Sequence, residues 1–198
     1  MILFLIALNV VVFVLEAAGQ TSLIDRFALW PLRSAGADAP SFHIWQLLTY
    51  SALHANLAHL AFNMFGLFMF GSEVERVIGA RRMLKLYTAS VACGGIAQLL
   101  MALMLAGNAY PAIGASAGVF GVLVAYALLF PRRRVVLLFP PIPMPAWLFA
   151  TSYALLELLL GLSREAPGVA HFAHLGGMAG AVVLVGYWSH KPHRDAID

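Results

Sequence analysis

The chain has 198 residues, of which 62% are AVILMFWYC and 11% charged, with a net charge of +3 and a mean hydropathy of +0.85. Soluble domains carry about 25% charged residues, so the charges here are too few to wet a sphere of this size, which excludes a soluble fold. A nucleic-acid binder is excluded as well, because its basic side chains must cluster on one wet face and these lie in short connections between apolar runs. The single cysteine, Cys93, sits inside an apolar run and offers neither a disulfide framework nor a thiolate metal site. The expected fold class is all-α: a polytopic membrane protein, one domain over residues 1–198.

Six runs are long enough to cross about 30 Å of hydrocarbon: 1–18, 53–70, 86–106, 112–130, 145–162 and 169–188. The first lacks the basic start of a signal peptide, and Leu15-Glu16-Ala17 is a poor cleavage site, so it reads as a span. The connection that follows, 19–52, carries Phe27, Trp30, Phe42 and Trp45. Such residues favour the water–lipid interface, and the connection is expected to be partly embedded in one leaflet.

Span 2 holds His54, His59 and Asn63. After it come Glu75-Arg76, Gly79, Arg81, Arg82 and Lys85, read as a cytoplasmic turn that serves stability and topology. Span 4 opens with Gly114-Ala115-Ser116-Ala117-Gly118 and is followed by Arg132, Arg133 and Arg134. The proline-rich run 139–145 ends one helix, and Pro145 suits the first position of the next. Span 5 contains Glu157, read as a paired or water-facing carboxylate that could otherwise influence substrate entry or proton exchange. Span 6 opens with His171-Phe172-Ala173-His174-Leu175-Gly176-Gly177, and the tail holds Lys191 and Arg194.

Lysine and arginine mark cytoplasmic connections. Nine fall on the side of the second and fourth connections and the tail; three (Arg26, Arg33 and Arg164) fall on the other. Both termini are therefore expected to be cytoplasmic, with spans 2, 4 and 6 entering from the outer face.

Polar groups inside spans are costly and point to function, and here three helices carry them in their outer halves. A serine hydroxyl becomes a nucleophile when a neutral imidazole within reach takes its proton. Backbone N–H, Asn amide and His N–H groups can then hold the oxyanion. Ser116, one histidine and Asn63 meet these needs, and His59 and Asn63, four apart, share a helix face. The base could be His171 or His174 from spacing alone. Gly114/Gly118 and Gly176/Gly180 have the small-xxx-small spacing that lets membrane helices touch.

These residues resemble the rhomboid intramembrane serine proteases. His54-Ala-Asn-Leu-Ala-His59-Leu-Ala-Phe-Asn63 is similar to the family's HxxxxHxxxN signature, Gly114-Ala-Ser116-Ala117 to its GxSx nucleophile motif, and Ala173-His174-Leu-Gly-Gly177 to its histidine motif. The resemblance implies Ser116 as nucleophile and His174 as base, in a dyad with no acidic third member. It implies an oxyanion site of Asn63, His59 and the Ser116 N–H, with His54 close by and Gly114 shaping the turn. His171 then reads as a residue nearer the surface, lining a cavity or touching a loop. Two departures stand out: Ala117 replaces the commoner glycine after the serine, and Trp45-Gln46 replaces Trp-Arg, losing a charge that could anchor the first loop at lipid phosphates.

The implied activity is cleavage of transmembrane segments of other proteins, in a bacterial inner membrane, with the site opening to the outer face. The partners expected are transmembrane protein substrates and the lipid bilayer, with no nucleic acid. No cofactor is expected. A metal is not expected either, since HExxH is absent, no carboxylate is seen to accompany the histidines, and a metal would leave Ser116 and Asn63 unused. A transporter is disfavoured because the polar groups gather toward one face and no repeat is found. The alternative function is a catalytically inactive rhomboid-like protein that binds membrane helices.

Overall fold

A computed structural model describes residues 1–19, 22–32, 40–104, 110–136, 141–163 and 168–190. Arg33, Arg164, Lys191, Arg194 and part of the run 139–145 lie outside the described residues. The order of elements is α1 (Ile2–Ala17), α2 (Ser22–Phe27), α3 (Gln46–Thr49) with a 3-10 turn over Tyr50–Ala52, α4 (Leu57–Ile78), α5 (Ala80–Met104), α6 (Ser116–Leu129), β1 (Arg134–Val136), β2 (Pro143–Pro145), α7 (Ala146–Ser163) and α8 (His171–His190).

Helices α4, α5, α7 and α8 are long and apolar enough to cross a membrane, while α1 and α6 are shorter apolar helices. Their outward faces carry large apolar side chains such as Leu3, Phe62, Leu159 and Val183, the last 73% exposed. Water would penalise so much apolar surface, whereas lipid does not. The chain is an integral membrane protein.

Each apolar run meets one of the six longer helices, with displaced ends, while the short α2 and α3 fall in the connection 19–52. Span 2 begins at Leu57 rather than residue 53, and it continues to Ile78 through Glu73, Glu75 and Arg76. Span 3 begins at Ala80, six residues before the expected 86. Helical backbone outlasts the hydrocarbon at this end, and the turn between α4 and α5 shrinks to Gly79, whose φ of +79° suits glycine. His54 consequently lies outside the helix, in the extended segment before it. Pro145 closes β2 and stands just before α7.

The connection expected to be only a helix break contains an antiparallel hairpin, β1 against β2. It positions the start of α7, where Ala146 N–H donates to the Arg133 carbonyl (2.8 Å) and Trp147 N–H to that of Pro131 (3.2 Å). Arg133 also pairs with Glu73 at 2.7 Å, tying the hairpin to α4.

Helix α8 packs between α5 and α6, and glycines make this possible. A Cβ on Gly176 would lie 2.6 Å from the Cys93 carbonyl, and one on Gly180 3.0 Å from the Cys93 side chain. The expected pairing of Gly114 with Gly118 holds only in part. Gly118 admits the ring of Tyr87, but Gly114 precedes α6 and does not pack helices.

The first long connection is tied down by neutral groups. Gln46 is fully buried: its amide donates to the carbonyls of Arg26 (3.3 Å) and Ser41 (3.4 Å), and its oxygen accepts from Trp30 N–H (3.2 Å). Trp45 Nε1–H donates to the Arg26 carbonyl at 3.1 Å. The charge missing from Trp45-Gln46 is thus replaced by hydrogen bonds. Farther along, Leu29 and Ala112 exchange two backbone hydrogen bonds of 3.0 Å, which fasten this connection to the segment leading into α6. Gln46→Leu is expected to strand these partners and destabilise the protein by about 1–3 kcal/mol, seen as a lower thermal midpoint in detergent; an unchanged midpoint would refute that role.

Candidate active site

Helix α6 has 14 residues, so at about 1.5 Å per residue it spans roughly 21 Å, against about 30 Å of hydrocarbon. At least one of its ends therefore stops short of the membrane surface. The non-helical backbone leading to Ser116 is enclosed by protein, with Gly114 and Ala115 buried, as such backbone must be at membrane depth. Gly114 N–H donates to the Tyr50 carbonyl at 3.0 Å, and Tyr50 is itself held by its hydroxyl donating to the Val91 carbonyl at 2.9 Å.

Gly114 has φ +121°, and a Cβ there would meet the His59 ring at 2.7 Å. Both the turn and the approach of His59 thus require glycine. Ala117 is fully buried, with its methyl against Gly94 and its carbonyl against Gly177. The larger residue after the serine is accommodated by a glycine on α5.

Oγ of Ser116 lies 2.7 Å from Nε2 of His174 on α8, the distance at which a hydroxyl donates to an unprotonated ring nitrogen. Phe120, one turn after Ser116, stacks on the His174 ring with centroids 4.6 Å apart and planes at 29°. The Ser116 N–H is among the first donors of α6, which have no acceptor within the helix, and the helix dipole adds positive potential there. Asn56 caps α4 by accepting from His59 N–H at 2.8 Å. Asn63 donates one amide hydrogen to the His59 carbonyl at 3.0 Å, which leaves its second free for the cavity.

Ser116, His174, His59 and Asn63 line one cavity of about 580 Å³. Phe62 and Phe70 of α4 and Phe149 and Tyr153 of α7 form its apolar walls. His54 does not line it. This histidine stands behind, edge-on to His59 at 5.0 Å, where its Nε2 accepts a long hydrogen bond (3.5 Å) from Ala115 N–H. His54 supports His59 and the turn before α6.

Two expectations are corrected. No carboxylate follows His174 on its own helix, but α7 supplies one: Glu157 Oε2 lies 2.8 Å from Nδ1 of His174 and 2.6 Å from Nδ1 of His171. His171, expected nearer the surface, is buried beside that carboxylate. The paired reading of Glu157 holds, and its partners are the two histidines. Glu157 was visible as an ionisable residue in a span, a signal of function. Phe120 was visible only as the position four after Ser116, on the same helix face.

Carboxylate and histidines also change the metal question. The donor atoms of Glu157, His171 and His174 lie within 4.8 Å of one another, a set that could hold a divalent ion. Two ligands about 2.0–2.1 Å from a tetrahedral ion stand about 3.3 Å apart. The carboxylate oxygen is nearer than that to both nitrogens, at hydrogen-bond spacing.

Residues 41–191 match the family model described as the Rhomboid domain. The chain is 31% identical over 136 residues to "Rhomboid protease GluP" of Bacillus subtilis, covering 69% of this chain and 24% of that protein. It is 33% identical over 150 residues to "Rhomboid protein 1, mitochondrial" of Saccharomyces cerevisiae, covering 70% of this chain and 40% of that protein. "RHOMBOID-like protein 12, mitochondrial" of Arabidopsis thaliana is 29% identical, with 69% and 44% covered. The chain thus spans a quarter to less than half of the length of these relatives. A match of this extent, over a helical membrane bundle with these motifs, makes the chain a member of the rhomboid family.

Proposed function

We propose that the chain is an intramembrane serine endopeptidase that cleaves transmembrane segments of other proteins. The observation that carries the reading is the 2.7 Å contact between a serine hydroxyl and an imidazole nitrogen, recessed in a membrane-embedded cavity. In the reaction, Ser116 Oγ attacks the scissile carbonyl carbon while its proton passes to Nε2 of His174. The C=O electrons move onto oxygen, where the Ser116 N–H, the free amide hydrogen of Asn63 and His59 are the donors at hand. Collapse of that intermediate breaks the C–N bond, and the leaving amine takes the proton from Nε2. Water then repeats the sequence on the acyl-enzyme, releasing the acid and restoring Ser116.

Apolar walls from α4 and α7 suit an apolar segment arriving from lipid between those helices. One domain over residues 1–198 holds the whole site. Arg76, Arg81, Arg82 and Arg133 lie at the end of the bundle away from Ser116, so the positive-inside rule puts both termini in the cytoplasm and the site toward the outer face. The compartment proposed is a bacterial inner membrane, while the relatives include mitochondrial proteins.

The test is labelling of the purified, membrane-reconstituted protein with a fluorophosphonate serine probe. Labelling at Ser116 that requires His174 is expected. A folded wild-type protein that stays unlabelled would overturn the reading in favour of an inactive protein that binds membrane helices. Asn63→Ala is expected to slow labelling by about 10²–10³-fold, the effect of losing one oxyanion donor; wild-type rates in that variant would remove Asn63 from the oxyanion site.

A further inference from the structure

We infer that Glu157 is a positioning residue for His174, so that the site works as a serine–histidine–carboxylate set assembled from three helices; this rests on the protease reading above. Glu157 is 7% exposed, and burial of a charge is sustained only where partners compensate it. Its partners are specific. Nδ1–H of His171 donates to Oε2 at 2.6 Å, and the same oxygen lies 2.8 Å from Nδ1 of His174. That nitrogen is on the far side of the ring from the Nε2 that faces Ser116.

The chemistry follows from the two ends of one imidazole. For Nε2 to accept the serine proton, the ring's own hydrogen must sit on Nδ1, and a carboxylate beside Nδ1 favours that tautomer. Once Nε2 has taken the proton, the ring is a cation, and the ionised carboxylate opposes its charge without taking a proton itself. Among the described residues Glu157 is the one carboxylate within 4 Å of His174.

In the resting arrangement Oε2 is near Nδ1 of His174 but off the line of its N–H, and that nitrogen has no aligned acceptor. His171 holds the oxygen through the aligned bond. Catalytic hydrogen bonds are often poorly aligned before substrate binds and tighten in the reacting complex. A small turn of the carboxylate toward His174 completes the set, and Phe120 stacked on the ring limits the tilt of His174 meanwhile. Because the carboxylate comes from α7, which also walls the cavity, activation of Ser116 depends on α7 being seated against α8.

The experiment uses Glu157→Gln, which keeps the shape and removes the charge, in the reconstituted protein with the fluorophosphonate probe. The limiting labelling rate is expected to fall between about 10- and 10⁴-fold, the upper bound being the effect of a carboxylate-to-amide change in a dedicated triad. The probe concentration for half-maximal rate and the thermal midpoint are expected to stay at their wild-type values, which a residue that only holds the helices together would not allow. A wild-type limiting rate in Glu157→Gln overturns the inference, as does a slowed rate accompanied by shifts in both other quantities. Should the glutamine variant fail to fold, Glu157→Asp replaces it: a slowed limiting rate at unchanged half-maximal concentration supports the inference, and an unchanged rate overturns it. The protease reading fails separately, if wild-type Ser116 is not labelled or is labelled without need of His174.

Discussion

Ser116→Ala and His174→Ala are each expected to reduce cleavage of a test substrate carrying a transmembrane segment to the background rate, with the double variant no worse than either one. Nucleophile and base act as a unit, so losing one removes what both supply; in serine proteases such losses are on the order of 10⁶-fold. The geometry makes this demand sharp. Nε2 of His174 is 2.7 Å from Ser116 Oγ and is its one ring-nitrogen partner among the described residues. His171, the other histidine of the same helix, is turned to Glu157 instead. Ser116→Ala removes one oxygen from a cavity wall, so its thermal midpoint in detergent should match the wild type. His174→Ala also strips a ring from Phe120, and large-to-small changes in packed sites cost about 2–5 kcal/mol, so its folding must be checked beside its rate. Measured cleavage above background in either folded variant would sink the assignment.

What the sequence made legible was set by what each signal depends on. Apolar length depends on the chain alone, and each of the six runs overlaps a helix. Helix ends depend on backbone geometry instead of hydropathy, which is why α4 and α5 run on through charged residues until Gly79 allows the turn. Ser116, His174, His59 and Asn63 were readable because each lies in a local pattern, and they do face one cavity. Glu157 was readable only as an anomaly. Its place beside His174 depends on the rotation of α7 against α8, which neither helix encodes separately. Gln46 shows the same limit in the opposite direction, since the loss of a charge was visible and the carbonyls that replace its anchoring were not. Gly114 carried a spacing that suggested helix packing, whereas its positive φ and the His59 ring beside it give the actual reason for glycine.

Gly177→Ala is expected to cost most of the activity without touching any reacting group. A Cβ at this position would overlap backbone atoms of Ala117, its carbonyl oxygen and carbon and, at 3.1 Å, its Cα. Side chains can swing away from an added methyl, but the backbone of α6 has little room to do so, because Tyr87 and Ser90 of α5 already press against its Gly118 and Gly121. Helices α6 and α8 must therefore separate, and they are the two that carry Ser116 and His174. A misplacement of about 1 Å can cost on the order of 10²-fold in rate, and overpacking a filled site costs about 1–3 kcal/mol. The probe-labelling rate should fall by about that factor while the thermal midpoint drops, even though the hydroxyl, the imidazole and Glu157 are all still present. Gly186→Ala, on the same helix with nothing near its added methyl, is the control and should leave rate and midpoint unchanged. Equal labelling by Gly177→Ala and wild type would mean that the 2.7 Å contact does not depend on the close approach of these two helices.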